Sequence, residues 1–381
     1  MPPTSQRVRE ILFVVGEASG DLHAGKVAES LRVMAPELKM VGVGGGHMRA
    51  AGVEIIEDVE NLAVMGFAEV VRHIPKHYAL LGRLRERINS GRVELVVLLD
   101  YPGFNLKVAD VAKKAGVPVL YYITPQVWAW GAGRLPKLAR VVTKAASILP
   151  FEEGLLRRHG VDATFVGHPL LDRAQSLPTQ SEARSALGLP ADGPILAVFP
   201  GSRRAELSRH LKPFMETATL LQSRIPGLHV VVSVAPTVQI SEADCPFPRV
   251  HSASFTVLRA ATAGLLKSGT TTLEAAVAGL PHVIGYRTSA ITYAIARRLV
   301  KIPHIGLVNV VAHREVSREF VQDAFEPSRV ADALMPLLEV HSAARADAEA
   351  GLSEVRGMLG TPGASERVAH MISELVATRP A

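Results

Sequence analysis

The feature that most constrains the fold is an unbroken apolar run that leads into a short polar loop and a helical pattern. It occurs first in ILFVVGEASGD (Ile11–Asp21) and is strongest in ELVVLLD (Glu94–Asp100). Apolar runs of strand length without alternation are typical of strands buried on both faces, as in parallel sheets. Ligands of such sheets bind at the carboxyl ends of the strands. The sequence therefore predicts an α/β domain whose site lies where these runs end.

The same alternation of strand and helix starts again in the second half of the chain. A stretch punctuated by Pro, Gly and Ser at Ala174–Gly193 precedes PILAVFPGSRRAE, and AGLLKSGTTTLEAAVAGLPHVIGYR follows later. A chain of 381 residues is too long for one ordinary core. We therefore predict two Rossmann-like doubly wound domains that face a cleft, with C-terminal helices. The predicted parts are an N-terminal domain over residues 1–173, a C-terminal domain over residues 174–345, and helices over residues 346–381 that return to the N-terminal domain.

Charge, cysteine content and apolar runs narrow the class of protein. Lys and Arg number 42 against 36 Asp and Glu, and this excess of +6 suits an anionic substrate or a membrane surface. No dense basic tract with interleaved aromatic residues points to nucleic acid. The single Cys245 excludes an intramolecular disulfide and a cysteine-based zinc site. No apolar run approaches the ~20 residues of a membrane span, and no secretory signal is recognised. We therefore expect a cytoplasmic protein, with peripheral membrane contact left open.

Two loops in the second half carry groups that suit a diphosphate. In the first, Ser202 and Arg203 follow a buried strand and open a helix, so they offer a hydroxyl, backbone amides and a guanidinium. The alternative there is a plain strand-to-helix turn with a surface arginine. The second loop leaves exposed amides around Gly269 at another helix start. Glu274 is placed to accept bonds from ribose hydroxyls, or else to form a capping box with Thr271.

Several common nucleotide and metal motifs are missing from these loops. The chain contains neither a P-loop of the form G-x-x-x-x-G-K-[ST] nor a G-x-G-x-x-G after a strand. An ATPase and a dinucleotide dehydrogenase are therefore not favoured. No H-E-x-x-H or similar spacing predicts a metal site, and no cofactor is expected.

Acidic residues follow both strong apolar runs of the first half. Asp100 ends a buried strand and is a candidate general base toward an alcohol, or else an aspartate that caps the turn at Tyr101-Pro102. Glu17 and Asp21 carry the same two interpretations. Ser19 or Asp21 is also expected to cap the helix that follows the first strand.

One segment of the first half combines apolar and basic residues. Asn61–Ile88 has helical periodicity that is broken at Pro75. The ordinary interpretation is a pair of amphipathic helices packed on the sheet. The sharper interpretation is a basic, apolar-rich flap that contacts lipid. Trp128 and Trp130 leave a similar choice between core packing and a shelf for a sugar or an acyl chain.

Taken together, several motifs resemble the lipid-A-disaccharide synthase family. In chain order they are GEASGD, AVMGFAEV, DYPGFN, YYITPQVWAW, LPFE, FVGHPLLD, LAVFPGSRRAE, LLKSGTTTLE and VIGYR. The resemblance implies an inverting glycosyltransferase of the two-Rossmann GT-B type that uses no metal. It implies transfer of 2,3-diacylglucosamine from its UDP derivative to 2,3-diacylglucosamine 1-phosphate. The implied products are the β-1′,6-linked lipid A disaccharide 1-phosphate and UDP.

The resemblance also assigns residues to roles. The family's essential aspartate falls on Asp100, its functional glutamate on Glu17 and its essential arginine on Arg203. Asp100 is then expected to deprotonate the acceptor 6-hydroxyl, while Arg203 and the loop around Gly269 hold the UDP phosphates. An asparagine near the donor falls on Asn309, although the surrounding sequence departs from the family pattern. The predicted substrate-binding residues are Ser19, Asp21, Asn105, Gln126, Trp128, Ser202, Lys267, Ser268, Gly269, Thr270, Thr271, Glu274, Tyr286, Arg287 and Asn309.

The expected partners and the competing functions follow from this resemblance. The expected partners are UDP-diacylglucosamine, diacylglucosamine 1-phosphate and the inner face of the cytoplasmic membrane. Nucleic acid is not an expected partner. A homodimer is left open. The first alternative is an enzyme like UDP-N-acetylglucosamine 2-epimerase, which leaves the apolar segment Asn61–Ile88 unexplained. The second is a non-enzymatic lipid-binding protein, against which the paired phosphate-type loops argue. GEASGD is expected to lie on the acceptor side rather than to hold the phosphates.

Overall fold

The computed structural model describes residues 9–61, 67–299 and 302–378. The chain forms two compact units, one of Met1–Pro169 with Thr361–Ala381 and the other of Leu170–Gly360. No helix within the described residues is both long enough and apolar enough to cross a membrane.

Strands and helices alternate through both units. The strands are β1 (Glu10–Val15), β2 (Lys39–Gly44), β3 (Glu54–Asp58), β4 (Val93–Leu99), β5 (Val119–Tyr122), β6 (Lys144–Ser147), β7 (Ala163–Phe165), β8 (Ile195–Phe199), β9 (His229–Val234), β10 (Arg249–His251), β11 (Ala263–Lys267), β12 (His282–Tyr286) and β13 (Glu319–Val321). The helices are α1 (Ala18–Met34), α2 (Gly46–Ala50), α3 (Phe67–Asn89), α4 (Pro102–Lys114), α5 (Val127–Trp130), α6 (Leu135–Val141), α7 (Pro150–Arg158), α8 (Leu170–Arg173), α9 (Gln180–Ala186), α10 (Arg204–Arg224), α11 (Ser254–Ala260), α12 (Thr271–Ala278), α13 (Ala290–Leu299), α14 (Leu307–Ala312), α15 (Pro327–Leu338), α16 (Ala343–Met358) and α17 (Ala364–Ala377). Short 3₁₀ turns lie at Val59–Asn61, Ala132–Arg134, Ala174–Ser176 and Gln322–Ala324.

The first unit is built on a parallel sheet. Its described strands are seven, in the order β3-β2-β1-β4-β5-β6-β7. Every residue of β1 is buried, with Leu12 and Val14 in the core on one face and Ile11, Phe13 and Val15 in the core on the other. Because successive side chains of a strand point to opposite faces, a strand covered on both sides is apolar throughout. This explains the unbroken apolar run.

The strand order of the first unit reverses between β1 and β4. Their last residues, Val15 and Leu99, are partners in the parallel register, so the loops that follow them start side by side. The loop after β1 leads into α1, and the loop after β4 leads into α4. In doubly wound sheets this reversal is the point at which a crevice opens for ligands.

The second unit repeats this construction. Its described strands are six, all parallel, in the order β10-β9-β8-β11-β12-β13. The order reverses between β8 and β11, where Phe199 and Leu266 are register partners. The prediction of two Rossmann-like doubly wound units is confirmed.

The helices at the C-terminus are divided between the two units. The helix α16 packs against α12, α14 and α15 and belongs to the second unit. The helix α17 packs against α1 of the first unit, where Val368 and Ile372 are fully buried. Arg367 donates from Nε to the carbonyl of Val166 at 2.8 Å, which ties the start of α17 to the same unit. The sequence prediction places its domain boundaries at 173/174 and 345/346, whereas the compact units change at 169/170 and 360/361.

The basic, apolar-rich segment forms one helix rather than two. The helix α3 continues through Pro75, so the predicted break there is wrong. A proline removes one helical hydrogen bond and crowds the preceding turn. The helix is nevertheless held along its C-terminal part, where Leu80, Leu84 and Ile88 are buried in the core. Residues 62–66, which belong to the predicted flap, lie outside the described residues.

Candidate active site

Asp100 stands in a strained loop at the reversal point of the first unit. Asp100 and Tyr101 have φ angles of 44° and 46°, in the left-handed region that residues other than glycine seldom occupy. Such a conformation costs on the order of 1–3 kcal/mol per residue and persists only where the surroundings enforce it. The Asp100 carbonyl accepts the Tyr121 hydroxyl at 2.6 Å and the Asn105 amide at 2.8 Å. Its backbone N–H donates to the carbonyl of Ile123 at 3.2 Å.

The first glycine of GEASGD is required by the ring of Tyr101. A Cβ on Gly16 would lie 2.2 Å from Cγ of that ring, so no larger residue fits without moving the loop. The Tyr101 hydroxyl is 2.5 Å from Nε2 of His77 on α3. Burial raises the pKa of the Tyr101 hydroxyl, so it stays neutral. The loops after β1 and β4 and the helix α3 therefore meet around this tyrosine.

Glu17 and Ser19 lie together beside that loop. Both are exposed, and the Ser19 hydroxyl donates to Oε1 of Glu17 at 2.5 Å. The helix α1 begins at Ala18 with Glu17 in the N-cap position, and the Glu17 side chain makes no capping hydrogen bond. The predicted cap by Ser19 or Asp21 is therefore wrong. It fails because the helix starts before either residue.

Asp21 has a structural partner instead. Its carboxylate accepts the backbone N–H groups of Gly45, His47 and Met48 at 2.6, 2.9 and 3.2 Å. These groups lie at the start of α2, and Asp21 is only 3% exposed. A carboxylate at a helix N-terminus satisfies amides that have no partner inside the helix. This arrangement favours a fold-stabilising role over contact with a substrate.

Asn105 is likewise used to join the two loops. It is fully buried, and its Nδ2 donates to the carbonyls of Val14 and Leu99 at 3.4 and 3.0 Å as well as to that of Asp100. It thus links the ends of β1 and β4. Among the described residues, its Oδ1 finds no hydrogen-bond partner.

The tryptophan loop after β5 rests on a buried carboxyl group. The indole Nε1 of Trp128 donates to Oε1 of Glu152 at 3.0 Å, and its ring meets Phe151 edge-on at 5.3 Å. Oε2 of Glu152 accepts the N–H of Leu149 at 3.1 Å. Burial raises the pKa of Glu152 to about 7, because the hydrogen bonds from Trp128 and from the backbone of Leu149 and Ile148 only partly compensate for lost hydration. Gln126 is exposed just before α5.

A pocket of about 510 Å³ lies at the reversal point of the second unit. It is enclosed by the ends of β8, β9 and β11 and by the first turns of α10, α11 and α12. Most of the predicted donor-binding residues line it. They are Ser202, Arg203, Lys267, Gly269, Thr270, Thr271 and Glu274. Two further charged residues that the sequence interpretation misses, Arg173 and Glu206, also line it.

Glu206 lies in the first turn of α10, and its carboxylate contacts the loop that holds Ser202 and Arg203. Its Oε1 is 2.9 Å from the Lys267 ammonium and 3.8 Å from the Arg203 guanidinium. Its Oε2 accepts the backbone N–H of Ser202 at 3.0 Å. Burial alone would raise the pKa of Glu206, but the hydrogen bond and charge of Lys267, the Ser202 amide and the Arg203 charge hold it below its ordinary value. The sequence signal that could have indicated Glu206 is its position in SRRAE, a few residues after the loop.

Glu274 is paired with Arg173. The guanidinium donates to Oε1 of Glu274 at 3.3 Å and also stacks on the ring of Phe255 at 4.7 Å. Burial raises the pKa of Glu274, although Arg173 and a hydrogen bond from Ser254 oppose that rise. The helix α12 has Thr270 in the N-cap position, and the capping box with Thr271 does not form. No sequence motif predicts Arg173, because its partner lies 101 residues away.

Tyr286 and Arg287 lie behind the pocket rather than in its lining. Arg287 donates from Nη2 to the Phe325 carbonyl at 2.5 Å and from Nε to the Gln322 carbonyl at 3.3 Å. Its backbone N–H donates to Nε2 of His210 at 2.8 Å, and the rings of His210 and Tyr286 are 5.6 Å apart. Burial, aided by the nearby Lys267 charge, lowers the pKa of His210 to about 4, so its ring is neutral and accepts this bond.

Asn309 is also engaged by the protein itself. It is fully buried, with Nδ2 donating to the Ser317 carbonyl at 2.7 Å and to Oε1 of Glu319 at 2.8 Å. Its Oδ1 accepts the N–H groups of Val316 and Ser317 at 2.7 and 2.9 Å. All of its side-chain groups thus have partners within the fold.

Ser268 connects the residues around Asn309 to the pocket. Its hydroxyl donates to the Ile305 carbonyl at 2.7 Å, so it points away from the pocket lining. The N–H of Ile305 donates in turn to Oε2 of Glu319 at 3.0 Å. Because Glu319 also binds Asn309, these residues position the loop around Gly269 from behind.

The charges of the pocket are nearly balanced. Among the described residues that line it, three are cationic and two are carboxylates: Arg173, Arg203 and Lys267 against Glu206 and Glu274. The N-termini of α10 and α12 add partial positive charge at the same place. The pocket is therefore suited to an anion. Each of its two carboxylates is already paired with a cation of the pocket.

A comparison with known sequences identifies the family. The sequence profile described as "LpxB: Lipid-A-disaccharide synthetase" matches residues 11–362. The chain belongs to this family. The lipid-A-disaccharide synthase of Geobacter metallireducens is 40% identical over 380 residues, which cover 97% of each chain. That of an Anaeromyxobacter species is 42% identical over 372 residues, which cover 95% of this chain and 96% of the relative.

Solved structures of two functional classes share the fold of this synthase-family chain. The UDP-GlcNAc 2-epimerase of Neisseria meningitidis, solved with UDP-GlcNAc bound, has a TM-score of 0.65 and 11% identity, covering 96% of this chain and 100% of that one. The glycosyltransferase of kitacinnamycin has a TM-score of 0.64 and 17% identity, covering 97% of this chain and 99% of that one. Identity this low shows the fold alone, so the structural likeness does not separate an epimerase from a glycosyltransferase. The sequence family does separate them.

Proposed function

We propose that the chain is an inverting hexosyltransferase of lipid A biosynthesis. It condenses UDP-2,3-diacylglucosamine with 2,3-diacylglucosamine 1-phosphate to give lipid A disaccharide 1-phosphate and UDP. The observation that carries this proposal is membership of the lipid-A-disaccharide synthase family across residues 11–362. The arrangement of charged groups in each unit supports it.

The pocket of the second unit holds the nucleotide in this proposal. Its volume of about 510 Å³ lies within the range of roughly 300–1,000 Å³ that small-molecule sites occupy. The Ser202 and Gly269 loops, together with Arg203 and Lys267, bind the diphosphate, and Glu274 accepts bonds from the ribose. When the bond between C1 of the sugar and the phosphate oxygen breaks, negative charge grows on UDP. Fixed cations and helix N-termini stabilise that charge without having to reorganise.

The reversal point of the first unit supplies the base. Asp100 accepts the proton of the acceptor 6-hydroxyl as its oxygen attacks C1 from the face opposite the leaving phosphate. Attack from that face inverts the configuration at C1. The enforced left-handed backbone at Asp100 supports this assignment, because such strain is commonly kept at functional sites. Glu17 is the other candidate carboxylate, and its exposure beside the same loops favours a role in orienting the acceptor.

Peripheral binding to the inner face of the cytoplasmic membrane completes the proposal, because both sugars carry acyl chains. The helix α3 supports it, with Tyr78 61% exposed. A groove of about 400 Å³ beside α3 is lined by Leu81, Arg85, Asn89, Lys107, Asp110, Val111, Lys114 and Lys137. A basic surface is attracted to anionic lipid by about 1 kcal/mol per cation. Sedimentation with vesicles that contain anionic lipid, but not with neutral vesicles, is the expected result.

An assay with purified protein tests the reaction. The chain is incubated with both acylated sugars, UDP release is followed, and the lipid product is identified by mass spectrometry. UDP release that requires both sugars, with formation of the disaccharide, is expected. Conversion of UDP-N-acetylglucosamine alone into an epimer would favour the epimerase instead. Lipid binding without either reaction would favour a non-enzymatic role.

A further inference from the structure

The groups suited to a diphosphate are already gathered around an anion of the protein itself. The Ser202 amide and the Lys267 ammonium both contact the carboxylate of Glu206, at 3.0 and 2.9 Å, and Arg203 lies 3.8 Å from it. The side chain of Glu206 is only 15% exposed, so this carboxylate is placed within the loop rather than extended into solvent. Its lowered pKa keeps it ionised at neutral pH.

The backbone of the loop accommodates this carboxylate. Gly201 has φ of 133°, a conformation that glycine adopts without strain. A Cβ at Gly201 would lie 2.8 Å from both Cβ and Oε2 of Glu206, so the absence of a side chain leaves room for the carboxylate. The loop is thereby shaped to present its amide to an oxyanion.

We propose that Glu206 is an internal competitor for the nucleotide. In the free protein its carboxylate occupies the amide and the ammonium that the diphosphate needs, and UDP binding exchanges one anion for the other. This inference rests on the proposed donor site in the second unit. The exchange keeps Lys267 from lying unpaired in the empty pocket. It also speeds product release, because Glu206 regains its partners as UDP leaves.

The test compares Glu206→Gln with the wild type. Glutamine keeps the size of the side chain and removes its charge, so UDP no longer displaces an anion. Calorimetry is expected to show roughly tenfold tighter UDP binding, the scale that one nearby charge exerts at a partly exposed site. In steady-state assays the KM for the UDP-sugar falls, kcat falls and inhibition by UDP becomes stronger. A role confined to supporting the loop would instead weaken UDP binding and raise KM.

Two further variants keep the test decisive. Glu216→Gln makes the same charge change further along α10, where Glu216 is paired only loosely with exposed Lys212 at 3.9 Å, and it is expected to leave UDP binding unchanged. Glu206→Ala also removes the competing anion, and it too is expected to bind UDP more tightly. Folding of each variant is checked by circular dichroism and thermal unfolding, and the alanine variant serves if the glutamine variant does not fold.

The outcomes separate this inference from the function on which it rests. If the wild type does not bind UDP, the proposed donor site is wrong. If the wild type binds UDP but neither Glu206 variant binds it more tightly, only the competition is wrong. If Glu216→Gln tightens UDP binding as much as Glu206→Gln, the effect is one of net charge, and the competition is again wrong.

Discussion

In each unit the strand order reverses beside the first strand of its sheet, and the loops that diverge there carry the candidate residues. In the first unit these loops follow β1 and β4 and bear Glu17 and Asp100. In the second they follow β8, with Arg203 in the loop and Glu206 in the first turn of α10, and β11, whose last residue is Lys267. Lys267 and Arg203 both lie close to the Glu206 carboxylate. The same topology thus presents acidic groups in one unit and, in the other, an anion pocket with three cations and two carboxylates among the described residues that line it. The fold fixes where a site forms, and the loop residues decide its chemistry.

The two reversal points also differ in how they are held in place. In the first, neutral groups enforce a strained backbone, because Tyr121 and Asn105 bind the carbonyl of Asp100. In the second, ion pairs between side chains order the pocket, as in the Lys267–Glu206 pair. A proton acceptor needs a fixed position, whereas a nucleotide site must exchange its partners at each turnover. Substitutions in the two units test this contrast.

The largest effect is expected from Asp100→Asn. A positioned general base contributes about 10²–10⁴-fold to a rate, so kcat should fall by roughly 1,000-fold with little change in the KM for the UDP-sugar. UDP release in the presence of both sugars measures this. Glu17→Gln is the comparison, with a smaller loss carried mainly by the acceptor KM. A larger loss in Glu17→Gln than in Asp100→Asn would transfer the base role to Glu17.

Arg203→Ala should have the next largest effect. Loss of one group that stabilises a leaving phosphate costs about 10²–10³-fold in rate, and we expect roughly a 100-fold lower kcat/KM for the UDP-sugar. Arg203→Lys should recover part of this loss, because it keeps the charge but not the planar fork. An unchanged kcat/KM in Arg203→Ala would mean that the exposed guanidinium does not reach the diphosphate.

Gly16→Ala tests whether the loop at Asp100 depends on close packing. The new Cβ would overlap the Tyr101 ring, so we expect a loss of about 3 kcal/mol in the free energy of unfolding, together with lower activity. Gly103→Ala is the matched control, since a Cβ there meets nothing within 4 Å. Chemical denaturation measures both. If the two variants were equally stable, the ring would have room to move and the packing argument would fail.

The smallest effect concerns pH and Glu152. Its folded-state pKa of about 7 lies above its ordinary value of 4.5, so the folded state holds its proton more tightly than the unfolded state does. The stability from this group is therefore fully present below pH 4.5 and is lost as pH rises through 7. Glu152→Gln removes this dependence.

Relative to the wild type, Glu152→Gln should gain roughly 2 kcal/mol of stability between pH 5 and pH 8. Urea denaturation at a series of pH values measures the difference between the two proteins. A constant difference across this range would mean that Glu152 titrates at its ordinary pKa in the fold.

Much of the fold follows from local patterns. The apolar runs predict the strands β1 and β4 and their burial on both faces. The glycines after β1 predict the position of the first loop. Each of these patterns extends over only a few residues. The break predicted at Pro75 shows the limit of such reasoning, since burial of Leu80 and Leu84 overrides a local signal in α3.

Only part of the candidate site can be predicted from such local sequence patterns. Motifs predict Asp100, Arg203 and the loop around Gly269 at the ends of strands. They also assign substrate roles to Asp21 and Asn309, whose side chains are hydrogen-bonded within their own units: Asp21 to backbone N–H groups, and Asn309 to backbone groups and to the Glu319 carboxylate. A carboxylate or an amide in a motif looks the same whether its partner is a ligand or a distant loop.

The sequence by itself determined two doubly wound units, the family and the strand ends where chemistry is expected, because repeated apolar runs and loop motifs are local properties. Only the tertiary structure decided which polar groups find partners within the protein itself. Arg173 reaches Glu274 across 101 residues, and Asp21 reaches Gly45 across 24. The physical reason is that a buried polar group must find a partner wherever the fold brings one within reach.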